Sequence, residues 1–202
     1  MAIFKTFGKK PSGPQLEKIR QSRNYSNNHL QNLHPTVTLA KDASVVKMLW
    51  QALNRPRDTK PPKTLPSIKN NLKGIATEKP VITWFGHSSY LISINGKNIL
   101  VDPVFSGHAS PFSFSVKSFV GADVYTVDDL PEIDILLLTH DHYDHLDYET
   151  VLQLKDKAGV VCTSLGVASH LIYWGFDANK IMEFDLKTLS GTKKPTIIEF
   201  KL

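Results

Sequence analysis

The sequence predicts an α/β fold in which a β-hairpin is followed by strands that alternate with helices. The β-branched and aromatic run "PVITWFG" leads into a hairpin over residues 90–102, whose Asn95-Gly96 pair is typical of tight turns. The apolar run "IDILLL" then predicts a strand that is buried on both faces. Because helix and strand patterns alternate after it, the expected architecture is an α/β sandwich.

The region before the hairpin has a different character. Residues 1–78 are interpreted as a basic, partly irregular extension, and residues 79–202 as the α/β unit. A short helix is expected in "PQLEKIRQSRNY", whereas "SNNHLQNLHPT" is expected to be irregular. The segment "DASVVKMLWQALN" predicts an amphipathic helix that is capped by Asp42 or Ser44 and docked on an apolar surface. Four prolines in "RPRDTKPPKTLP" then predict a connector.

The elements after the buried strand follow a regular alternation. The pattern predicts a helix in "DYETVLQLKDKA", a strand in "GVVCTS" and a second helix in "LGVASHLIYWG", which Gly175 ends. Two short strands are expected in "KIMEF" and "TIIEFKL". The single Cys162 lies in an apolar strand pattern and is interpreted as a small buried hydrophobic residue.

The net charge of +5 conceals two regions of opposite sign. Residues 1–73 contain 14 Lys/Arg and 3 Asp/Glu, whereas residues 74–202 contain 10 and 16. The basic region is expected to pack on the acidic remainder, although contact with an anionic membrane surface is an alternative. Nucleic-acid binding is disfavoured, because no aromatic residues alternate with the basic ones. A lone cysteine and the lack of a membrane-spanning or signal segment favour a cytoplasmic protein.

The densest group of metal-binding side chains lies in "THDHYDHLD", directly after the buried strand. His140 and His142 are two residues apart, so in extended chain both imidazoles point the same way and can reach one ion. A tight turn would let Asp144 and His145 face a second position. Imidazole and carboxylate are ligands of zinc, iron and manganese. Two adjacent ions could clamp a phosphoryl or acyl oxygen and hold a bridging hydroxide.

Three longer stretches carry a family resemblance around this HxHxDH motif. In chain order they are "ITWFGHSSYLISINGKNILVDPVFSGHASP", "LPEIDILLLTHDHYDHLD" and "SLGVASHLIYWGF". They resemble the metallo-β-lactamase superfamily, and within it the subfamily of N-acylphosphatidylethanolamine-hydrolysing phospholipase D and its bacterial relatives. The likeness covers roughly residues 20–185. It implies an α/β chain that forms half of a four-layer αββα metallo-β-lactamase sandwich, preceded by the irregular basic N-terminal extension.

The resemblance also implies roles for individual residues. His140 and His142 become ligands of a first metal, while Asp144 and His145 become ligands of a second. Asp144 is in addition the catalytic residue that orients or deprotonates the attacking water. Two Zn²⁺ ions are the implied cofactor of a complete site, with iron or manganese as alternatives.

Several residues outside the motif are candidates for supporting or structural roles. We call residues 139–147 the metal loop. The resemblance places Asp102 in "LVDP" behind this loop, where its carboxylate would hydrogen-bond to the metal ligands and fix their orientation. His87 in "FGHSS" is a second candidate for such a role, with ordinary turn bonding as the alternative, and His108 is a weaker one. The remaining histidines are expected on the surface or, for His170, at a surface or helix-capping position; they are His29, His34 and His170.

The expected activity is metal-dependent hydrolysis of a phosphodiester or related ester, on a small-molecule or phospholipid-like substrate. The family's second half supplies a third histidine, a bridging aspartate and a final histidine. By comparison, the chain ends at "TIIEFKL", a few residues before the third histidine. Two alternatives therefore stay open: a non-catalytic remnant that needs a partner chain, such as a second copy of itself, and a lactonase or β-lactam hydrolase.

Overall fold

A six-stranded mixed sheet forms the centre of the computed structural model, which describes residues 3–32, 43–54, 59–75 and 78–185. The strands lie side by side in chain order: β3 (Val81–Gly86), β4 (Ser89–Ile94), β5 (Lys97–Val101), β6 (Ile133–Leu138), β7 (Ala158–Ser164) and β8 (Ile181–Phe184). β4 is antiparallel to both of its neighbours, β3 and β5, whereas β5 to β8 run parallel. The predicted α/β fold with its leading hairpin is confirmed.

In the part of the chain that the structure describes, five α-helices and a small hairpin accompany this sheet. The helices are α1 (Ile3–Thr6), α2 (Pro14–Arg20), α3 (Val45–Leu53), α4 (Tyr148–Leu154) and α5 (Ala168–Tyr173), and the small hairpin pairs β1 (Tyr25–Ser26) with β2 (His29–Leu30). Two short 3-10 helices, Val127–Asp129 and Ala178–Lys180, precede β6 and β8. Gly175, with φ 90°, follows α5 as the sequence predicted. None of the described helices combines the length and the apolar character needed to cross a membrane.

The Asn95-Gly96 turn joins β4 and β5 as the sequence predicted. Both residues have positive φ, 50° and 70°, as a type I′ turn requires. The pairing of Ile94 with Lys97 closes the hairpin directly on this turn. The turn thus fixes the register of β4 against β5, and Asp102 leaves the sheet at the end of β5.

One face of the sheet packs against α4 and α5. Leu91, Leu100, Leu136 and Val161 lie in one row across four neighbouring strands, and all are buried. The core that they form continues into both helices and the loops beneath them, through Leu72, Tyr125, Val127, Leu130, Ile133, Leu138, Leu146, Val151, Leu154, Ala158, Val167, Leu171, Trp174 and Phe176. This core holds the carboxyl ends of the parallel strands in place, and the metal loop starts there.

The opposite face carries an apolar row as well. Ile82, Ile92, Ile99, Ile135 and Val160 lie next to one another across five strands. Ile135 is buried, whereas Ile82 and Val160 at the two ends of the row are exposed. An apolar second face suits a sheet that packs on another sheet. The expected half of a four-layer sandwich is compatible with this face and stays a prediction.

Two expectations for the extension are wrong. The irregular chain expected in "SNNHLQNLHPT" contains the β1–β2 hairpin, because Asn27 and Asn28 both adopt positive φ, at 52° and 64°. The α3 helix is capped by Ser44 but is not docked through its described side chains, since Trp50 is 64% and Leu53 is 85% exposed.

Other expectations fall outside the described residues. Residues 33–42 and 186–202, which contain His34, Asp42 and the run "TIIEFKL", are among the undescribed segments. The expected strand in that run and the alternative helix cap at Asp42 therefore stay predictions.

Leu136→Ala is expected to lower the free energy of unfolding by about 2–5 kcal/mol, because it empties a fully buried position in the central strand. Leu53→Ala is the matched control, since Leu53 is 85% exposed and should change stability by no more than about 0.5 kcal/mol. Urea denaturation followed by far-UV circular dichroism measures both. Equal losses in the two variants would contradict the observed core.

Candidate metal centre

The metal loop begins where β6 ends and turns back within a few residues. The His142 carbonyl accepts hydrogen bonds from the backbone N–H groups of His145 (2.9 Å) and Leu146 (2.7 Å). This tight turn brings the second half of the motif back beside the first half. The structure thereby confirms the turn that the spacing of the motif requires.

Asp147 fixes the far end of the loop. Its buried carboxylate caps α4 by accepting from the Glu149 N–H, and it also accepts from the Thr150 hydroxyl. The same carboxylate accepts from the backbone N–H groups of Phe105 (3.2 Å) and Ser106 (2.9 Å) in the loop after β5. The loops that follow β5 and β6 are therefore joined at a single buried side chain.

Three side chains offer ligand atoms to one point. The nearest ligand atoms of His87, Asp144 and His145 all lie within 4.8 Å of one another. His87 Nε2 is 3.1 Å and His145 Nε2 is 3.8 Å from Asp144 Oδ2. His87, for which the sequence suggested a second-shell role, thus faces the same point as Asp144 and His145.

The turn between β3 and β4 gives His87 this position. The register of the two strands shifts between Trp84 and Gly86, and the backbone then turns with positive φ at Gly86 (116°) and His87 (45°). The Trp84 indole N–H donates to the His87 carbonyl at 3.0 Å. Positive φ is unfavourable for a histidine, so the turn holds His87 in a conformation that the chain would not choose alone.

His140 and His142 lie next to this group. Their ring centroids are 4.5 Å apart, and the ring of His140 is 3.9 Å from that of His145. The motif histidines are thus brought together as the sequence predicted. Among the described residues, His140 and His142 form no three-ligand group with another side chain.

Asp102 and Thr139 set the orientation of two imidazoles. Asp102, 1% exposed, accepts from the Thr139 N–H (2.8 Å), the Thr139 hydroxyl (2.6 Å) and Nδ1 of His145 (2.8 Å). Because the Thr139 hydroxyl donates to Asp102, it accepts from His140 Nδ1 at 2.9 Å. We assign the proton to Nδ1 in both histidines, which leaves each Nε2 lone pair available to a metal ion.

Burial and two neighbouring histidines both lower the pKa of His140. Burial lowers the pKa of His140, and the charges of His145 and His142 lower it further. The neutral imidazole therefore persists to lower pH than in an isolated histidine. The neutral form is also the one that binds metal ions.

The donor set fits a divalent metal ion. Imidazole nitrogens and a carboxylate oxygen converge, and a buried carboxylate holds the ligand tautomers from behind. His87, Asp144 and His145 would hold one ion. His140 and His142 would contribute two ligands to a neighbouring position.

Three other described histidines, His29, His108 and His170, lie outside the candidate metal site. His29 is exposed as expected, and His108 bonds through Nδ1 to the Ser110 carbonyl at 2.8 Å, away from the ligand group. The surface position expected for His170 is wrong. Its side chain is 15% exposed within α5, and its Nε2 lies 3.8 Å from Asp141 Oδ2 in the metal loop. Cys162 is buried as expected, and burial raises the pKa of its thiol.

Two functional positions were missed in the sequence. Thr139 directly precedes the motif and Asp147 follows it after one further residue, and both make hydrogen bonds that hold the loop. The signal for Asp147 was its place at the start of a predicted helix, which is typical of a capping residue. The pairing of Thr139 with Asp102 depends on a contact 37 residues apart, and no local pattern predicts it.

Comparisons with known proteins place the chain in a family. The protein family described as "Beta-lactamase superfamily domain" matches residues 81–199 of this chain. An uncharacterised protein of Mycobacterium tuberculosis is 29% identical over 180 residues, which cover 88% of this chain and 48% of that protein. N-acyl-phosphatidylethanolamine-hydrolyzing phospholipase D 1 of Caenorhabditis elegans is 35% identical over 74 residues, or 37% of this chain and 21% of that enzyme. A metal-dependent hydrolase of Flavobacterium johnsoniae is 30% identical over 99 residues, or 48% of this chain and 38% of that protein.

The matched region contains the whole six-stranded sheet and the metal loop. The match to the curated mycobacterial relatives covers 88% of this chain. The chain spans only about half of the length of those relatives, 48%. Its fold, its HxHxDH loop and the match over residues 81–199 agree with one another. The chain therefore belongs to the metallo-β-lactamase superfamily, whose members include metal-dependent hydrolases.

Proposed function

We propose that this chain carries the first part of the active site of a metal-dependent hydrolase that cleaves a phosphodiester or a related ester. The observation that carries the proposal is the convergence of His87, Asp144 and His145, with Asp102 oriented behind His145. A divalent cation bound there supplies Lewis acidity and lowers the pKa of a coordinated water. We favour zinc because of the histidine-rich donor set, with iron and manganese as alternatives.

Asp144, His87 and His145 would have separate roles around the ion. The Asp144 carboxylate, half-exposed at the mouth of the site, would bind the ion through one oxygen and accept a proton from the attacking water through the other. His87 Nε2, 3.1 Å from Asp144 Oδ2, would bind the same ion as that carboxylate. The His145 side chain is fixed by its Nδ1–H bond to Asp102, so that its Nε2 keeps its place beside Asp144.

The phosphodiester class is supported by one relative. The Caenorhabditis elegans enzyme is named for hydrolysing a phospholipid, and this chain is 35% identical to it over 74 residues. A phospholipid-like substrate presents a phosphoryl oxygen to a cationic site and a long apolar remainder to the surrounding surface. Because the chain spans about half of its mycobacterial relatives, a complete site with further ligands is part of the proposal.

Asp144→Asn and His145→Ala are each expected to weaken zinc binding by more than about 100-fold, because each removes a direct ligand. Competition with a chromophoric chelator measures the affinity. Asp156→Asn is the control for loss of one negative charge, since Asp156 is exposed at the end of α4 and outside the ligand group. Zinc binding that is equal in all four proteins would contradict the site.

Asp102→Asn is expected to weaken zinc binding by about 10–100-fold without touching a ligand atom. The new amide N–H would face His145 Nδ1, force that nitrogen to accept, and place the proton on Nε2. Circular dichroism checks that the variant is folded, and the same chelator competition measures its affinity. An affinity equal to that of the wild type in a folded variant would show that Asp102 does not orient the ligand.

A zinc-loaded form that includes the further ligands of the complete site is expected to cleave a chromogenic phosphodiester such as bis(p-nitrophenyl) phosphate faster than a chromogenic lactone or β-lactam. EDTA should abolish this turnover and added zinc should restore it, because the metal polarises the phosphoryl oxygen. Asp144→Asn should lower the rate by about 100-fold or more, as expected for loss of a general base. Preference for the lactone or β-lactam, turnover that survives EDTA, or no turnover would contradict the proposed function.

A further inference from the structure

The N-terminal segment lies against the metal loop and encloses a cleft with it. We call residues 3–32 the N-terminal arm. The cleft has a volume of about 1260 Å³. Phe7, Lys10, Leu16 and Leu30 line it from the arm, and the metal loop from His140 to Asp144 lines the opposite side. The basic extension therefore takes part in the surroundings of the candidate site.

His170 connects the arm to the metal loop. The Lys9 backbone N–H donates to His170 Nδ1 at 3.2 Å, so this nitrogen carries a lone pair and the proton belongs to Nε2. Nε2 points toward Asp141 Oδ2 at 3.8 Å, inside the HxHxDH motif. One largely buried imidazole thus lies against both walls of the cleft.

Gly8 allows this close approach. Its φ is 65°, and a Cβ at this position would lie 1.8 Å from His170 Nδ1. Gly13, in the same arm, has a similar φ of 56° but no atom within 4 Å of an added Cβ. Both glycines have positive φ, which disfavours alanine at either position, and only a Cβ at Gly8 would meet His170.

Further anchors tie the arm to the same region of the sheet. The Trp174 indole N–H donates to the Lys5 carbonyl at 2.8 Å. Lys18 Nζ lies 3.0 Å from Glu183, whose side chain is 2% exposed and which also accepts from the Gly166 N–H. These contacts span 161 to 169 residues of sequence, so the arm is held by tertiary structure.

The chemistry of the arm suits a particular kind of ligand. It carries six Lys/Arg residues and one Glu, so its net charge is +5. Lys10 brings one of these charges into the cleft, beside the apolar side chains of Phe7, Leu16 and Leu30. An anion at the metal loop with an apolar chain along the arm would complement both features.

We propose that the N-terminal arm is the second wall of the metal cleft, that His170 is the positioning residue that latches it to the metal loop, and that this wall selects, among anionic ligands, those with an apolar chain. The latch rests on contacts within the chain alone. The choice of ligand rests on the proposed function, because it requires the anion to lie at the metal loop.

Hydrogen–deuterium exchange of peptides that cover residues 5–12 tests the latch without metal or substrate. Gly8→Ala and His170→Ala should each speed exchange by about tenfold or more, because the Lys9 N–H loses its acceptor. Gly13→Ala should exchange as the wild type does. His170→Asn should be close to wild type too, because its amide oxygen can replace Nδ1 as the acceptor. Equal exchange in Gly8→Ala and Gly13→Ala would overturn the latch.

Calorimetry on zinc-loaded protein tests the wall, with inorganic phosphate and dodecyl phosphate below its micelle concentration as probes. Gly8→Ala should bind dodecyl phosphate about tenfold more weakly than Gly13→Ala, while phosphate affinity stays within about twofold, because only the longer probe reaches the arm. A variant with a loosened arm and unchanged dodecyl phosphate affinity would overturn the selecting role.

The outcomes separate this inference from the proposed function. In one outcome, wild-type protein binds zinc and phosphate yet binds dodecyl phosphate no more tightly than phosphate. That result would overturn only the proposed selection of ligands with an apolar chain. If wild-type protein binds no zinc, the proposed function is overturned, and the proposed selection of ligands is overturned with it. The exchange experiment would still decide whether His170 latches the arm.

Discussion

The candidate site depends on one buried carboxylate. Asp102 ends β5 with a positive φ of 40° and accepts three hydrogen bonds, from the backbone and hydroxyl of Thr139 and from His145. A buried charge is costly unless it is hydrogen-bonded, so these partners cannot separate from it without a penalty of several kcal/mol. The carboxylate therefore fixes the path of the metal loop and the tautomer of a ligand at the same time.

The site is assembled from parts that are distant in the chain. The β3–β4 turn contributes His87, the end of β5 contributes Asp102, and the loop after β6 contributes the motif. They meet because β5 and β6 are adjacent and parallel, so that their carboxyl ends lie at the same edge of the sheet. The arm reaches this edge from the other end of the described chain and closes the cleft through His170. The arm carries a net charge of +5, and the loop across the cleft carries the candidate ligands.

The sequence predicted those elements whose pattern is local and strong. The Asn95-Gly96 turn, the buried strand β6 and the helices α4 and α5 are found where hydrophobic period and turn residues placed them. The errors fell on weaker signals. The α3 helix has an apolar stripe, but Trp50 and Leu53 have no partner surface among the described residues, since periodicity cannot say whether a partner is present. The β1–β2 hairpin depends on two asparagines in positive φ, which the polar surroundings concealed.

By itself, the sequence determined the family and indicated the candidate ligands, because the HxHxDH motif lies within six consecutive residues. Only the tertiary structure decided which side chains converge. His87 lies beside Asp144 because a strained turn at the edge of the sheet aims it there. Thr139 meets Asp102, and Lys9 meets His170, through the packing of strands and helices that are far apart in sequence. Contacts of this kind have no local sequence pattern, since they arise from the order of the strands and from the packing of the arm on the sheet.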